Sequence, residues 1–243
     1  MSDIEAPDTM KNFDAMGRMA GAVAHDFNNL LTGILGNLEL LQRRANRLGV
    51  AEFDDYLRGS RSAANRAVDL TQRLLAVSGH LALDPKLLTI EQVVDDAVEV
   101  LSGTLPETIQ MKTEVEAGLW PVRCDQAQLE EALLQLTRNA QTAMPEGGQV
   151  TMSLRNVTMD GNEYGFAPGE YVALSVTDTG IGMSDDVAAR AFEPFFTTRN
   201  SGAGTGLGLA SVLGFARQSG GHAEVEETRP GLTKVTIYLP RAR

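Results

Sequence analysis

The chain has 243 residues, 43% apolar and 22% charged, the composition of a folded globular protein of one or two domains rather than a disordered one. A formal charge of −11 argues against a nucleic-acid grip, which needs clustered lysine and arginine, so any anionic ligand requires a local solution. Cys124 is the only cysteine, which excludes an internal disulfide and a cysteine-based metal centre, and no apolar run or signal core long enough for a membrane is present, so the chain reads as cytoplasmic.

After a lead-in over residues 1–12, Phe13, Met16, Ala20, Val23, Phe27, Leu30 and Ile34 recur at alternating spacings of three and four, a helical a/d seam that Ala24, Leu31 and Leu38 widen at position e. His25, one of three histidines, falls at position f and faces away from the seam. Its neighbour Asp26 can hydrogen-bond the imidazole and fix its tautomer, and Asn29 lies one turn further on. Taken alone, such a histidine reads as an ordinary solvated helical residue.

Residues 43–51, with Gly49, break this pattern. A second one follows at Phe53, Tyr56, Ser60, Ala63, Ala67, Leu70, Leu74, Val77 and Leu81, giving an antiparallel helical hairpin over residues 13–83. Two helices cannot bury both seams, so the expectation is a homodimeric four-helix bundle, with Ser60, Ala63 and Ala67 allowing close approach. A coiled-coil spacer without chemistry predicts the same pairing.

Residues 84–88, containing Asp84-Pro85, read as a linker, and residues 89–243 as an α/β sandwich. Strands are expected at Ile109–Glu116, Gln149–Thr158, Glu170–Thr177, His222–Glu227 and Leu232–Leu239, and helices at Thr89–Leu101, Asp125–Met144, Ser184–Ala191 and Leu207–Gln218. Asp125 can cap the second of these helices, with Gln128 at the capping-box position. That helix carries a buried stripe, Leu129, Leu133, Leu136, Ala140 and Ala143, and a polar one, Glu131, Gln135 and Asn139. Asparagine costs roughly 0.6 kcal/mol against alanine in a helix interior, so Asn139 suggests a side chain wanted for its carbonyl oxygen, a hard ligand of the kind magnesium accepts.

The strand Val172–Val176 runs into Asp178-Thr179-Gly180-Ile181-Gly182-Met183. A carboxylate at a strand end, followed by close-turning glycines, can accept from an exocyclic amine such as that of adenine. The aspartic-protease triplet is the rival reading, and with one copy it needs a symmetric dimer through this strand end. Gly202-Ala203-Gly204-Thr205-Gly206-Leu207-Gly208-Leu209 leads into an apolar helix, so free backbone N–H groups and the positive end of the helix can meet phosphate. Neither of the commoner phosphate-loop patterns is present. Between these elements, Phe192-Glu193-Pro194-Phe195-Phe196-Thr197-Thr198-Arg199 reads either as a lid whose Arg199 reaches a phosphate or as a loop packed by its own phenylalanines.

The order of these elements resembles the sensor histidine kinases of two-component signalling, from about Phe13 to Leu239. His25-Asp26-Phe27-Asn28-Asn29 is similar to the H box, Asn139-Ala140 to the N box and Asp178–Gly182 to the G1 box. Phe192–Phe196 resembles the F box and Gly204–Leu209 the G2 box. The resemblance implies an α+β protein: a dimerisation and histidine-phosphotransfer hairpin followed by a Bergerat-type ATP-binding domain shared with gyrase, the Hsp90 chaperones and MutL. It implies a phosphoprotein that autophosphorylates on His25 from Mg-ATP and passes the phosphoryl group to an aspartate of a response-regulator receiver, with Asp26 as base. Asn29 would serve a reverse phosphatase activity. Asp178, Gly180, Gly182, Arg199, Gly204, Thr205, Gly206, Leu207, Gly208 and Asn139 would hold the nucleotide, and Asn139 with Gln135 the metal. A degenerate ATP-binding scaffold or a phosphatase-dominant form is the alternative. Two positions depart from the family pattern: Gln135 stands where asparagine is usual, and Arg199 where lysine is common. The related ATPases carry a glutamate base at the Gln135 position, and glutamine cannot take a proton, which favours transfer over hydrolysis. With no room before Phe13 for a sensor domain or after Leu239 for a receiver, the chain reads as a stand-alone transmitter or an excised kinase core.

Overall fold

A computed structural model of the protein describes residues 27, 30–48, 53–78, 83–161, 167–199 and 205–242. His25, Asp26, Asn29 and Gly204 lie outside the described residues. The chain divides into two compact units, Met1–Leu81 and Ala82–Arg243.

In the first unit, residues 30–48 form helix α1 and Asp54–Ser78 form α2. Asp54 and Asp55 sit in the first turn of α2, where negative charge suits the positive helix end. Gln42 Nε2 on α1 donates to Asp54 Oδ1 at 2.8 Å, joining the helices near the turn. Among the described residues the covered positions are Leu31 on α1 and Leu57, Ala64 and Thr71 on α2, the last three at heptad spacing. Phe27, just before α1, and Leu30, Ile34, Leu41 and Leu48 on it are 49–67% exposed within the single chain, and α1 with this spacing runs to residue 48, into the 43–51 stretch expected to break the pattern. Phe53, just before α2, and Tyr56 on it are exposed as well. Among the described residues the hairpin thus covers Leu31, an edge position of the predicted seam, and leaves the seam positions Phe27, Leu30, Ile34, Phe53 and Tyr56 exposed.

The second unit contains, in chain order, β1 (Lys86–Leu88), α3 (Ile90–Ser102), β2 (Ile109–Val115), β3 (Val122–Cys124), α4 (Gln126–Ala143), β4 (Gly148–Met159), β5 (Gly169–Asp178), α5 (Asp185–Arg190), α6 (Gly208–Gln218), β6 (His222–Arg229) and β7 (Leu232–Pro240). The five strands and four helices expected here are all present. The strands β1 and β3 pair antiparallel and were not expected, since three residues are too few to display a strand period; β1 lies in the segment read as a linker. The main sheet has the order β2-β4-β5-β7-β6, with β2 parallel to β4 and the other pairs antiparallel.

The core joins the alternate residues Val150, Met152 and Leu154 of β4, Val172, Leu174 and Val176 of β5, and Val235, Ile237 and Leu239 of β7 to the apolar stripes of α3, α4 and α6. Burying each such side chain is worth about 1.5–3 kcal/mol. Asp125 caps α4 as expected, its Oδ1 accepting from the Gln128 N–H at 3.1 Å, and its Oδ2 accepts from the Asp84 N–H at 2.8 Å. The opposite face of the sheet carries a smaller cluster, Tyr171, Ala173 and Tyr238. Beside it, Thr236 Oγ1 donates to Glu226 Oε2 at 2.7 Å, which leaves Ser175 Oγ as the donor to Thr236 at 2.8 Å. Lys234 at 2.8 Å and Arg155 at 3.2 Å converge on Glu226 Oε1.

Burial alone would raise the Glu226 pKa, but the hydrogen bonds from Lys234 and Thr236 and the charges of Lys234 and Arg155 outweigh it and hold the carboxyl below its ordinary range. A depressed native pKa contributes stability above the unfolded value that is lost as pH falls through the native one. Glu226→Gln is therefore expected to cost about 1 kcal/mol in chemical denaturation at neutral pH. The difference from wild type should close on acidification below the native pKa of Glu226; a gap independent of pH would refute the assignment.

Candidate functional site

The site is built where α4, the end of β5 and the start of α6 meet. Leu129, Leu133, Leu136 and Ala140 fix the rotation of α4 by burial, and that rotation carries Gln135 and Asn139 on its other side. Gln135 is only 4% exposed, so part of the stripe read as polar is an interior surface rather than a solvated one. Gln135 Nε2 donates to the Glu131 carboxylate one turn earlier. A Cβ added at Gly208 would lie 3.3 Å from Gln135 Oε1 and 4.0 Å from Asn139 Oδ1, so the bare glycine leaves a cradle faced by two amide groups. Hard amide oxygens suit magnesium completed by phosphate and water. Among the described residues no cluster of three or more His, Cys, Asp or Glu offers a rival metal site.

Helix α6 starts at this cradle. Its N-cap is Leu207, whose side chain cannot accept from the first-turn amides, and such amides at a helix start suit an anion. Leu207 is fully buried and anchors the turn, which means that only its backbone can face a ligand. Thr205 Oγ1 accepts from the Leu207 N–H at 3.4 Å. Ser211 Oγ donates to the Gly208 carbonyl at 2.8 Å.

Asp178 ends β5, 7% exposed, with Oδ1 accepting from the Gly180 N–H at 2.9 Å. Burial pushes its carboxyl above the ordinary range, and the Gly180 bond opposes that only in part. A Cβ on Gly180 would stand 2.6 Å from that of Ala143 on α4, so glycine permits the close approach in which the Ile181 N–H donates to the Ala143 carbonyl at 3.1 Å. Thr179 holds the strand ends together, its Oγ1 accepting from the Gln149 N–H at 3.0 Å. That role was missed in the sequence, where its only signal was its place between Asp178 and Gly180. Gly182, at φ +76°, packs against the backbone of Arg229.

The aromatic and basic segment is packed in part by its own phenylalanines and ends in a basic residue that turns towards α4. Phe192 packs against the core and Arg190 lies 4.2 Å above the Phe196 ring, whereas Phe195 is half exposed. Phe195 adopts φ +66°, an uncommon conformation outside glycine, and its N–H donates to the Gly206 carbonyl at 2.9 Å. From this anchored base Arg199 turns back to the site, Nη2 donating to Asn139 Oδ1 at 3.4 Å. The structure therefore brings together Gln135, Asn139, Arg199 and Gly208, with the turn after Asp178 held at Ala143, one helical turn beyond Asn139 on α4.

Residues 124–243 match the family model of the histidine kinase-, DNA gyrase B-, and HSP90-like ATPase, and residues 15–79 match that of the His Kinase A (phospho-acceptor) domain. The sensor kinase CckA of Brucella abortus (strain 2308) is 38% identical over 95% of this chain and 25% of its own length. The sensory histidine kinase/phosphatase NtrB of Klebsiella oxytoca is 29% identical over 90% of this chain and 60% of its own. Full-length ShkA, solved in complex with AMPPNP, superposes with a TM-score of 0.68 at 26% identity, covering 94% of this chain and 47% of that one. The chain thus spans about a quarter of CckA and less than two thirds of NtrB.

A Cβ at Gly206, where φ is +65°, would fall 2.4–2.7 Å from the Phe195 backbone. Gly206→Ala is expected to open the Phe195–Gly206 junction, read as faster hydrogen exchange at the Phe195 amide with the β5 amides unaffected. Exchange at the wild-type rate would show that this junction does not hold the segment.

Proposed function

Because the chain belongs to the histidine kinases and carries the phospho-acceptor and ATPase domains of their transmitter core, we propose that it transfers the γ-phosphoryl group of ATP to its own His25. The observation that carries this reading is the meeting of two amide side chains, Arg199 and the start of α6 at one cradle, with the turn after Asp178 held against the last turn of α4. In it, Asp178 accepts from the adenine amine while Gly180 and Gly182 leave room for the ring. The α6 amides and backbone from Gly204 to Gly208 receive the phosphates, and Thr205 holds the turn. Arg199 releases Asn139 and moves to phosphate. Asn139 and Gln135 would hold magnesium, which when bound neutralises phosphate charge.

A neutral ring nitrogen of His25 attacks the γ-phosphorus in line. The N–P bond forms as the bond to the ADP oxygen breaks, and Asp26 orients the other ring nitrogen and takes its proton. Positioning and charge neutralisation supply most of the acceleration. The phosphoryl group then passes to an aspartate of a response-regulator receiver, and Asn29 orients water for the reverse phosphatase step. Gln135 cannot act as a base, which favours transfer over hydrolysis. The protein works as a homodimer through the apolar seams that the single hairpin leaves exposed, which supports a four-helix bundle. No described helix is long and apolar enough to cross a membrane. We place this activity in the cytoplasm.

Incubation with Mg2+ and γ-labelled ATP is expected to leave acid-labile, alkali-stable label on the wild type and none on His25→Ala. Label surviving that substitution, or no label on the wild type, would overturn the autokinase reading.

Asp178→Asn should abolish saturable ATP binding. In the wild type the ionised carboxylate is the acceptor, so affinity should weaken as pH falls through the raised pKa of Asp178. Normal binding by the variant, or wild-type affinity flat across that range, would mean that the adenine acceptor lies elsewhere.

A further inference from the structure

We infer that Glu131 is a positioning residue of the metal–nucleotide site, acting through Gln135, whose amide it orients so that the carbonyl oxygen faces the start of α6. The inference rests on the reading of this cradle as the place where Mg-ATP binds.

A glutamine amide presents a donor and an acceptor of nearly equal shape, and its neighbours decide which end faces which way. Glu131 removes that ambiguity. An ionised carboxylate only accepts, so the end of Gln135 in contact with it must be Nε2, and Oε1 must take the other direction. That direction leads to Gly208, where an ideal Cβ would stand 3.3 Å from Oε1. The same point lies 3.8 and 4.0 Å from Nδ2 and Oδ1 of Asn139. Spacings of four residues put Glu131, Gln135 and Asn139 along one side of α4.

The length of glutamine gives this contact its purpose. Glutamine has one more rotatable bond than asparagine, so its carbonyl reaches further and is less well fixed by the backbone. The bond from Glu131 ties down that additional freedom. Gln135 is 4% exposed, and a nearly buried amide needs both of its ends satisfied. Glu131 serves one end; the other is aimed into the cradle. An ordinary i,i+4 pair on a solvated helix face would stabilise the helix by about 0.2–0.5 kcal/mol and leave the pocket indifferent to its loss. The two roles therefore differ in their dependence on the metal.

Calorimetric titration of the whole chain with AMPPNP, in Mg2+ and in EDTA, separates them. Glu131→Ala is expected to weaken binding about tenfold in Mg2+ and to change it less than about twofold in EDTA, the scale on which residues supporting a metal ligand act. Glu131→Gln keeps an acceptor oxygen and should recover most of the loss, which also guards against a folding defect in the alanine variant. The Glu131→Ala/Gln135→Ala double variant should bind no more weakly than Gln135→Ala, because one residue acts through the other. Wild-type affinity of Glu131→Ala in Mg2+, equal losses with and without metal, or full additivity in the double variant would each overturn the inference. A wild type that binds AMPPNP without regard to Mg2+ would overturn it alone, whereas a wild type that does not bind AMPPNP at all would overturn the reading of the pocket.

Discussion

The packing of α4 against the sheet is the constraint on which the rest of the site depends. Leu129, Leu133 and Leu136 are buried almost completely, and rotating the helix to release them would forfeit about 1.5–3 kcal/mol for each. The same rotation fixes Gln135 and Asn139, since one helix surface follows rigidly from the other. The Asp125 cap holds the first turn of α4. At the far end, the Ala143 carbonyl receives the Ile181 amide and ties the glycine turn after Asp178 to the last turn of the helix. One apolar stripe thus sets the positions of the amide pair and helps to set that of the carboxylate.

A chain of net charge −11 that receives a polyanion has to find its positive potential somewhere other than in a basic surface. In the proposed function it comes from the backbone at the start of α6, where the N-cap Leu207 has no side chain able to cap, and from Arg199. Glycine serves a different purpose at each position: closeness at Gly180, a left-handed turn at Gly206 and open space at Gly208. The positive φ of Phe195 belongs to the same economy, because its amide is used to hold the base of the loop rather than to continue a helix.

In the hairpin, hydrophobic spacing predicted the helices and the face of α1 and α2 that remains exposed in one chain. It did not show that the two helices of a single chain bury the edge of that face, at Leu31, Leu57, Ala64 and Thr71, while the described seam residues Leu30, Ile34 and Tyr56 stay exposed. An a/d pattern records that a face is apolar but carries no information about which neighbour covers it. The small strands β1 and β3 were illegible for a related reason. Their register is a property of the pair, and three residues carry too little pattern to announce it.

The sequence by itself determined the helices and main-sheet strands of the second unit and the cap at Asp125, because these follow from local periodicity and from a capping pattern carried by a few adjacent residues. Tertiary structure alone decided that Gln135 is buried rather than solvated, that Arg199 reaches Asn139, and that Leu207 offers only its backbone. Each of these depends on which side of an element is covered by residues distant in the chain. The orientation of the Gln135 amide lies between the two. Its spacing from Glu131 is written in the sequence, but the direction of its carbonyl acquires meaning only when the start of α6 is folded against it.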